Sequence, residues 1–454
     1  MLREEVMPYH RPPNENELSL CPVWAFLLIV RLAPVSRAGC FVMAEISKGP
    51  HIGVLSSQFP SRLQPNLGLS VRERMFRVAR RLPLFVVSPT PWVPLEDWIR
   101  QNLNPAFRPS MPEYEEQQGI AVWFPRFLTV PGPNVLRLLD GWAMARGAYP
   151  RFAALHSAGR LDLIDAHGAY PDGYAGVLLG RQLGVPVTIT LHGGELACAR
   201  NPRLILKLRE AFKGAARIFA VSESLRQFAI ELGASDDRVE VVGNGIDAES
   251  FRPRDRNAAR AALGIPPTAP VLVSSGSGRL SEEKGCNRVI EALPALTGKW
   301  PGLVCLLVGP ECLENDRRAE LETLVERLNL KETVRFLDAL PPDGLSGLLS
   351  AADVFVSAAR HEGSATALLE ATACGLPVVA FDAGGHRELI RPELGELASL
   401  GDPSALSAAI DLALSRTWDR VAIRRHGELF HWDGRVNRLC RAFAESVSGR
   451  YGRG

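Results

Sequence analysis

Residues 357–390, SAARHEGSATALLEATACGLPVVAFDAGGHRELI, contain the pattern from which the fold can be inferred. Two carboxylates, Glu362 and Glu370, stand eight positions apart, and small residues fill much of the space between them. An apolar segment from Pro377 to Phe381 and the glycine pair at 384–385 follow. We predict a loop, a helix, a strand and a second loop, with Glu362 before the helix and Glu370 inside it.

The spacing of these two carboxylates has two interpretations. Eight residues of helix rise about 12 Å, roughly the length of a small charged ligand with two polar ends. Each carboxylate would then hold one end of the ligand, and helix N-terminal amides would hold an anion between them. An amphipathic helix with a capping acid and a solvated glutamate fits the same spacing.

Composition describes a soluble globular protein of two domains. The chain has 454 residues, which exceeds one ordinary core, with 46% hydrophobic and 22% charged residues. A net charge of +2, without basic runs interleaved with aromatic residues, argues against nucleic acid as a partner. The eight cysteines form no CxxC pair, so we expect reduced thiols in a cytosolic protein and no metal site.

Residues 1–47 differ from the rest of the sequence. Charges and prolines come first, and an apolar run from Pro22 to Val30 ends at Arg31. The run is shorter than the roughly 20 residues that cross a bilayer, and the mixed charges before it fit a signal peptide poorly. We interpret 1–47 as a disordered or weakly membrane-associated extension, with translation starting at Met43 as the favoured explanation.

Residues 48–250 begin with a strand, loop, helix and strand, the opening of a parallel sheet. We predict strands at His51–Ser56 and Leu84–Ser88, with a helix at Val71–Leu82 between them. Arginines occupy the polar faces of this helix and are interpreted as a solvated surface. The alternative is a surface for an anionic acceptor or membrane. The segment 89–135 is rich in proline and aromatic residues without clear periodicity, and we interpret it as an excursion around a cleft with no assigned role.

A histidine follows the strand predicted from Val185 to Leu191. His192, with Gly193 and Gly194 after it, occupies the carboxyl end of a parallel strand, where doubly wound sheets bind ligands. We therefore take His192 as a candidate binding residue. His167 follows an earlier strand and is the weaker candidate, and a core histidine with satisfied hydrogen bonds is the alternative for both.

Strand and helix alternation starts afresh in residues 251–430, which implies a second Rossmann-like lobe facing the first across a cleft. Ser281 occupies the third glycine position of a GxGxxG motif, and no GxxxxGK[ST] motif is present, which argues against a dehydrogenase and a phosphate-loop NTPase. Arg279 and Lys284 instead place two cations near backbone amides. Such a pair suits a diphosphate and can neutralise a departing one without a metal.

Four segments carry a family resemblance: GRLSEEKGCNRVIEAL at 278–293, RHEGSATALLEATACGLPVVAFDAGGHRELI at 360–390, PVTITLHGGEL at 186–196 and VSESLRQFAIELGASDDRVEVVGNGIDAESFRP at 221–253. With these motifs the chain resembles a retaining glycosyltransferase of the GT-B fold, in family 4 (glycosyl transferases group 1). The resemblance extends over residues from about 50 to 440. It implies an α/β fold of two Rossmann-like domains whose C-terminal helix crosses back to the N-terminal domain.

The resemblance also implies roles for individual residues. Arg279 and Lys284 would bind the donor diphosphate, Glu362 the transferred sugar and Glu370 the ribose hydroxyls. His192 would reach the sugar near the reacting centre, so the catalytic set is His192, Arg279, Lys284 and Glu362. Further donor contacts are implied for backbone at Gly68, Gly278, Gly363, Ser364 and Ala365.

The implied reaction moves a sugar from a UDP- or GDP-sugar to a hydroxyl of a glycan or lipid-linked acceptor, without a metal or other cofactor. Cell-surface polysaccharide or glycolipid synthesis would be its setting, in the cytoplasm or peripherally at the anionic inner face of the membrane. Three alternatives stay open: a nucleotide-sugar epimerase or isomerase, a phosphorylase or synthase using a phosphorylated small acceptor, and a non-catalytic nucleotide-sugar-binding protein.

The implied domain layout has four parts. The extension at 1–47 precedes an acceptor-side domain at 48–250 and a nucleotide-sugar domain at 251–430, and a terminal helix at 431–454 packs back on the first domain. The sequence departs from the family pattern at Gly243, where proline is common, at Glu195, where aspartate is common, and at Gly68, which replaces a glycine pair. None of these departures removes a charge that the mechanism needs.

Overall fold

A computed structural model describes residues 49–93, 111–129, 136–275, 284–309, 318–360 and 365–449, together with positions 96 and 102. These residues belong to one compact unit. Among the described helices, none combines the length and apolar content that a membrane crossing requires. The predictions for the extension at 1–47 lie outside the described residues.

The first lobe is built on a twisted sheet. Its strands are β1 (Ile52–Leu55), β2 (Leu84–Val87), β4 (Tyr114–Gln117), β5 (Ile120–Trp123), β7 (Leu163–His167), β8 (Val187–Leu191), β9 (Arg217–Ala220) and β10 (Val239–Val241). Within the described ranges their order is β10-β9-β8-β7-β1-β2-β5-β4. Neighbours pair in parallel except at β4 and β5, and a separate parallel ribbon joins β3 (Thr90–Trp92) to β6 (Arg126–Leu128).

Helices cover both faces of this sheet. They are α1 (Leu69–Ala79), α2 (Asp140–Ser157), α3 (Tyr174–Leu183), α4 (Glu195–Cys198), α5 (Pro202–Gly214) and α6 (Glu223–Glu231), with short helical turns at Leu136–Leu139, Ala169–Gly173 and Asp236–Arg238. Apolar residues of α2, α3 and α5 pack on one face, and those of α1 pack on the other. The central strands β1, β7 and β8 are buried toward both faces, as parallel strands covered by helices are.

The described part of 89–135, where the sequence shows no clear periodicity, holds β3 to β6. The hairpin between β4 and β5 turns at Gln118 (φ 52°) and Gly119 (φ 79°), both in the left-handed conformation that a two-residue turn of this kind requires. Strand β4 is largely polar, so it lacks the apolar alternation by which strands are recognised. The sequence feature that could have predicted this hairpin is the Gln118-Gly119 pair at its turn.

The second lobe is a parallel sheet of β11 (Val271–Ser275), β12 (Val304–Val308), β13 (Val334–Leu337), β14 (Val354–Ser357), β15 (Val378–Phe381) and β16 (Gly395–Ala398). The described strands follow the order β13-β12-β11-β14-β15-β16. Its helices are α7 (Arg256–Ala262), α8 (Cys286–Ala292), α9 (Pro294–Thr297), α10 (Arg318–Arg327), α11 (Pro342–Ala351), α12 (Thr366–Ala373), α13 (Gly385–Leu389), α14 (Pro403–Ser415) and α15 (Arg420–Glu428). They enclose an apolar core on each face of the sheet.

Both sheets contain a point where the direction of strand addition reverses. In the first lobe it lies between β7 and β1, and in the second between β11 and β14. Loops that leave two such strands diverge to opposite faces and open a crevice at the carboxyl edge of the sheet. The loops after these four strands are therefore where the fold places a ligand site.

The chain crosses between the lobes near Ile246 and again near Phe430. The Ile246 amide donates to the Phe430 carbonyl at 2.9 Å. The final helix, α16 (Trp432–Val447), then packs on the first lobe, where Phe443 meets Phe219 edge-on at 5.8 Å between ring centroids. The predicted return of the C-terminal helix to the first lobe is confirmed.

Replacing Phe443 should test how much this helix contributes to stability. The Phe443 side chain is fully buried, so Phe443→Ala should lower the free energy of unfolding by about 3–5 kcal/mol. Val447 lies on the same helix and is 39% exposed, so Val447→Ala should lower the free energy of unfolding by less than about 1 kcal/mol. Urea denaturation measures both, and equal losses would contradict the described packing.

Candidate functional site

Lys284 lies at the carboxyl edge of the second sheet, where strand order reverses. The next residue, Gly285, is left-handed (φ 77°) and starts α8. A Cβ atom on Gly285 would lie 2.0 Å from the carbonyl oxygen of Ala358, which follows β14. The segment after β11 therefore packs directly against the segment after β14, and Lys284 stands beside the crevice between these strands.

Several predicted site residues cannot be placed. These residues, which lie outside the described ranges, are Gly278, Arg279, Glu362, Gly363 and Ser364. Of the predicted set, the structure describes Gly68, His192, Lys284, Ala365 and Glu370.

Ala365 is the first described residue before α12. It is buried and adopts a left-handed backbone (φ 47°, ψ 38°), a strained conformation that in non-glycine residues is concentrated at functional sites. Its methyl side chain offers no hydrogen-bond acceptor, so no side chain of the N-cap residue competes for the first amides of α12. The helix begins at Thr366, and Glu370 lies inside it as predicted. The 12 Å estimate counted eight helical residues between the two carboxylates, so it does not apply.

Glu370 lies in the second turn of α12. Burial raises the pKa of Glu370 to about 8, and repulsion by Glu73 adds to the rise. Glu73 belongs to α1 of the first lobe, so this effect comes from across the cleft. Without a ligand, the Glu370 carboxyl group is mostly protonated at neutral pH.

Glu388 and Asn244 make hydrogen bonds that join the lobes at the cleft. The Glu388 carboxylate accepts hydrogen bonds from the amides of Glu223 (2.7 Å) and Ser224 (2.8 Å), in the first turn of α6. A carboxylate at a helix N-terminus satisfies amides that have no partner within the helix. Asn244 Nδ2 also donates to Thr366 Oγ1 at 3.4 Å. Sequence reasoning missed Glu388, since nothing in one sequence indicates its partner 164 residues away.

Gly68 is the N-cap of α1, with φ 65°. A Cβ atom there would lie 2.0 Å from the carbonyl oxygen of Gln58, in the loop after β1. The described close approach is therefore between the loop and the helix start. The approach to donor phosphates implied for Gly68 stays a prediction.

His192 follows β8 and contacts His167, which ends β7. His167 Nδ1 and His192 Nε2 are 2.9 Å apart, and the two rings stack with centroids 5.2 Å apart. Burial lowers the pKa of His192 well below its usual value, and electrostatic interactions with His167 and Arg74 lower it further. The imidazole of His192 is therefore neutral at physiological pH.

Two buried carboxylates shape the loops around this pair. Glu195 accepts hydrogen bonds from the amides of Gly193 (2.7 Å), Ala169 (3.2 Å) and His192 (3.4 Å), which links the turn after β8 to the loop after β7. Asp172 accepts from the Ser57 amide and from Ser57 Oγ, the latter at 3.0 Å. Burial raises the pKa of both groups, that of Asp172 to about 7.

The interpretation of the α1 arginines as a solvated face was wrong for Arg74, which is fully buried. Arg74 donates to the Val242 carbonyl at 2.7 Å and to Asn244 Oδ1 at 3.1 Å. Burial lowers the pKa of Arg74 to about 10. Arg77 and Arg81 are partly buried and pair with acidic residues of this chain, Arg77 with Glu73 and Asp247, and Arg81 with Asp433.

Two Rossmann-like lobes with facing crevices and a returning C-terminal helix define the GT-B architecture. The fold is similar to sucrose-phosphate synthase from Thermosynechococcus elongatus, with a TM-score of 0.68 and 20% identity over 88% of this chain and 99% of that chain. It is also similar to Anabaena Alr3699/HepE in complex with UDP-glucose, with a TM-score of 0.62 and 21% identity over 88% of this chain and 99% of that chain. The fold is thus that of a GT-B glycosyltransferase.

Sequence comparison gives the family. Residues 255–429 match the model described as Glycosyl transferases group 1, and residues 105–250 match Glycosyltransferase Family 4. A D-inositol 3-phosphate glycosyltransferase of Geodermatophilus obscurus is 31% identical over 316 residues, which cover 65% of this chain and 69% of that protein. The chain belongs to the group 1 glycosyltransferases and is a transferase enzyme.

The contact of Gly68 with Gln58 can be tested against a glycine of the same conformation in open space. Gly68→Ala introduces a methyl group 2.0 Å from a backbone oxygen, whereas Gly184 (φ 71°) has no atom within 4 Å of its ideal Cβ position. Gly184→Ala should cost about 1–2 kcal/mol from backbone strain alone. Gly68→Ala should cost at least about 2 kcal/mol more, measured by urea denaturation. Equal costs would show that the loop can move away.

The raised pKa of Glu370 predicts a pH-dependent stability. In the unfolded chain this carboxyl ionises near pH 4.5, whereas in the folded protein it keeps its proton up to about pH 8, so its contribution to stability falls as pH rises between these values. Glu370→Gln cannot ionise. The ligand-free variant should therefore exceed the wild type in stability by up to about 4 kcal/mol at pH 8 and by less than about 1 kcal/mol near pH 5.

Thermal unfolding at several pH values measures this difference. Glu231→Gln is the control, because Glu231 is exposed at the end of α6 and a substitution at such a surface position should change the stability by less than about 0.5 kcal/mol. A stability gain in Glu370→Gln that does not vary with pH would refute the assignment of the raised pKa.

Proposed function

We propose that this protein transfers a sugar from a nucleoside diphosphate to an acceptor hydroxyl, with retention of configuration at the anomeric carbon. The observation that carries the proposal is the crevice of the second lobe. There Lys284 stands beside the segment after β14, on the same sheet edge as the strained Ala365 and the N-terminus of α12. A cation and helix amides at a reversal of strand order suit a diphosphate.

The proposed donor is a UDP-sugar, with a GDP-sugar as the alternative. Support comes from the structural neighbour Alr3699/HepE, which was solved with UDP-glucose. Lys284 and Arg279 neutralise the diphosphate, while Glu362 binds hydroxyls of the transferred sugar. Glu370 accepts hydrogen bonds from the ribose. Two cations supply the charge that a leaving diphosphate needs, so the proposed reaction uses no metal.

The proposed mechanism is a front-side displacement. The bond from the anomeric carbon to the diphosphate oxygen breaks, and the acceptor oxygen forms its bond on the same face of the sugar. The acceptor proton passes to the departing diphosphate, which leaves as the nucleoside diphosphate. Among the described residues, the buried carboxylates Asp172 and Glu195 are engaged by backbone amides, which makes neither a good nucleophile.

The proposed acceptor is a glycan or lipid-linked glycan of the cell surface, with the enzyme in the cytoplasm or at the inner face of the membrane. A small phosphorylated acceptor is the second candidate. It is supported by the names of two similar proteins, a D-inositol 3-phosphate glycosyltransferase and a sucrose-phosphate synthase. An acceptor panel with polyprenyl-linked glycans, inositol 3-phosphate and hexose 6-phosphates separates the two.

Lys284→Ala tests the charge assignment. Loss of a group that stabilises the leaving diphosphate should lower turnover by about two to three orders of magnitude. Lys299→Ala is the matched control, since Lys299 is 59% exposed and pairs with Asp411 away from the crevice. Turnover is measured as release of nucleoside diphosphate, and wild-type turnover in Lys284→Ala would refute the role of Lys284.

The donor for this assay comes from a thermal-shift screen of nucleotide-sugars, because a ligand that binds the folded state raises its melting temperature. Proton NMR of the product then gives the anomeric configuration. An inverted product would overturn retention, and an isomerised sugar in donor-only incubations would favour the isomerase alternative. Donor binding without turnover on every acceptor would favour a binding role.

A further inference from the structure

A buried row of polar side chains leads to His192 from inside the first lobe. Asp165 and His167 lie two residues apart on β7, so their side chains share one face of the sheet. Thr188, on β8, pairs in register with Asp165, and its hydroxyl donates to Asp165 Oδ1 at 2.7 Å. Asp165 and Thr188 are completely buried, and His167 is nearly so.

The row continues through both imidazoles. Asp165 Oδ2 lies 3.2 Å from His167 Nε2, and His167 Nδ1 lies 2.9 Å from His192 Nε2. The first contact has ion-pair distance without the alignment of a good hydrogen bond, and neither of its atoms has a hydrogen bond to another described group. Arg74 supplies a compensating positive charge, since Asp165 raises the pKa of Arg74 against the lowering by burial.

The chemistry of these atoms favours one arrangement of the protons. An ionised carboxylate only accepts hydrogen bonds, so it favours the tautomer of His167 with its proton on Nε2. The Nδ1 atom of a neutral His167 is then an acceptor, and the 2.9 Å contact requires a proton on His192 Nε2. The remaining nitrogen of His192, Nδ1, carries a lone pair. The opposite arrangement would place the lone pair of His167 Nε2 against the Asp165 carboxylate.

We propose that His167 is a positioning residue, held by Asp165, which fixes His192 as the tautomer that offers Nδ1 as hydrogen-bond acceptor to a hydroxyl of the bound sugar. The contact with the sugar rests on the proposed function, whereas the tautomer is a property of the free protein. A neutral histidine in one tautomer binds a hydroxyl without the reorientation that a mixture of tautomers would need.

Asp165→Asn is the decisive variant. An asparagine amide can donate to His167 Nε2, which moves the His167 proton to Nδ1 and reverses the hydrogen bond to His192. His192 would then carry its proton on Nδ1 and lose the acceptor. Long-range ¹H–¹⁵N spectra of ligand-free protein should show the Nε2–H tautomer of His192 in the wild type and the Nδ1–H tautomer in Asp165→Asn, with the His192→Gln spectrum identifying the signal.

Activity gives a second readout. His167→Phe keeps a ring but removes the acceptor, and it should lower kcat by about 10- to 100-fold, the loss expected for one hydrogen bond made in the transition state. The KM for the donor should change far less. His167→Asn should restore much of this loss, because its side-chain oxygen can accept from His192 Nε2. Thr190→Val is the control, since the buried Thr190 hydroxyl lies on the same face without a hydrogen-bond partner among the described residues.

The outcomes separate the inference from the proposed function. An Nδ1–H tautomer of His192 in the wild type overturns the positioning role whatever the activity. So does a His192 that keeps the Nε2–H tautomer in Asp165→Asn. The expected spectra without glycosyl transfer by the wild type would leave the tautomer established and refute the proposed function. If His167→Asn is no more active than His167→Phe while both variants keep the wild-type melting temperature, the acceptor role of His167 is wrong.

Discussion

Parallel strands all end at one edge of a sheet, and in both lobes the order of strands reverses at that edge. This constraint leaves a crevice that no crossover helix can fill. The close backbone approaches and buried loop contacts described above lie at these crevices. In the second lobe, Gly285 approaches the Ala358 carbonyl where no side chain could fit. In the first lobe, Asp172 ties the loop after β7 to Ser57, after β1. The chemistry of the site follows from which residues stand at these edges.

The two lobes are held together in two different ways. At the two crossings, near Ile246 and near Phe430, the chain passes from one lobe to the other. There α16 packs against the first lobe through buried apolar residues. At the cleft the described hydrogen bonds are few, and the pair that Glu388 makes with the first turn of α6 is open to water. Hydrogen bonds that water can replace contribute about 0.5–1.5 kcal/mol each. Opening the lobes at the cleft therefore costs less free energy than detaching α16 from the first lobe.

The architecture was predictable from the sequence because buried parallel strands and amphipathic helices alternate with clear periods in both halves. His192 was predictable as a site candidate because it directly follows such a strand, and Lys284 because it precedes the glycine that starts the next helix. The buried Arg74 was not, since its place in α1 among other arginines reveals nothing about Val242 and Asn244, which accept its hydrogen bonds. Glu388 and Asp172 were missed for the same reason, because a carboxylate becomes functional through partners that only the folded chain brings near. Strand β4 was missed because its mostly polar residues do not show the alternation of apolar and polar side chains that identifies a strand.

The packing of α16 also affects the order in which the molecule can form. The apolar core on one face of the first sheet includes Ile52, Met75 and Phe219, and it is completed by Trp432 and Phe443 from α16. A ribosome that has made only the first lobe has therefore produced a sheet with one face partly uncovered. That face stays exposed until the second lobe and residues 432–447 have emerged, so the first lobe begins folding early and finishes last.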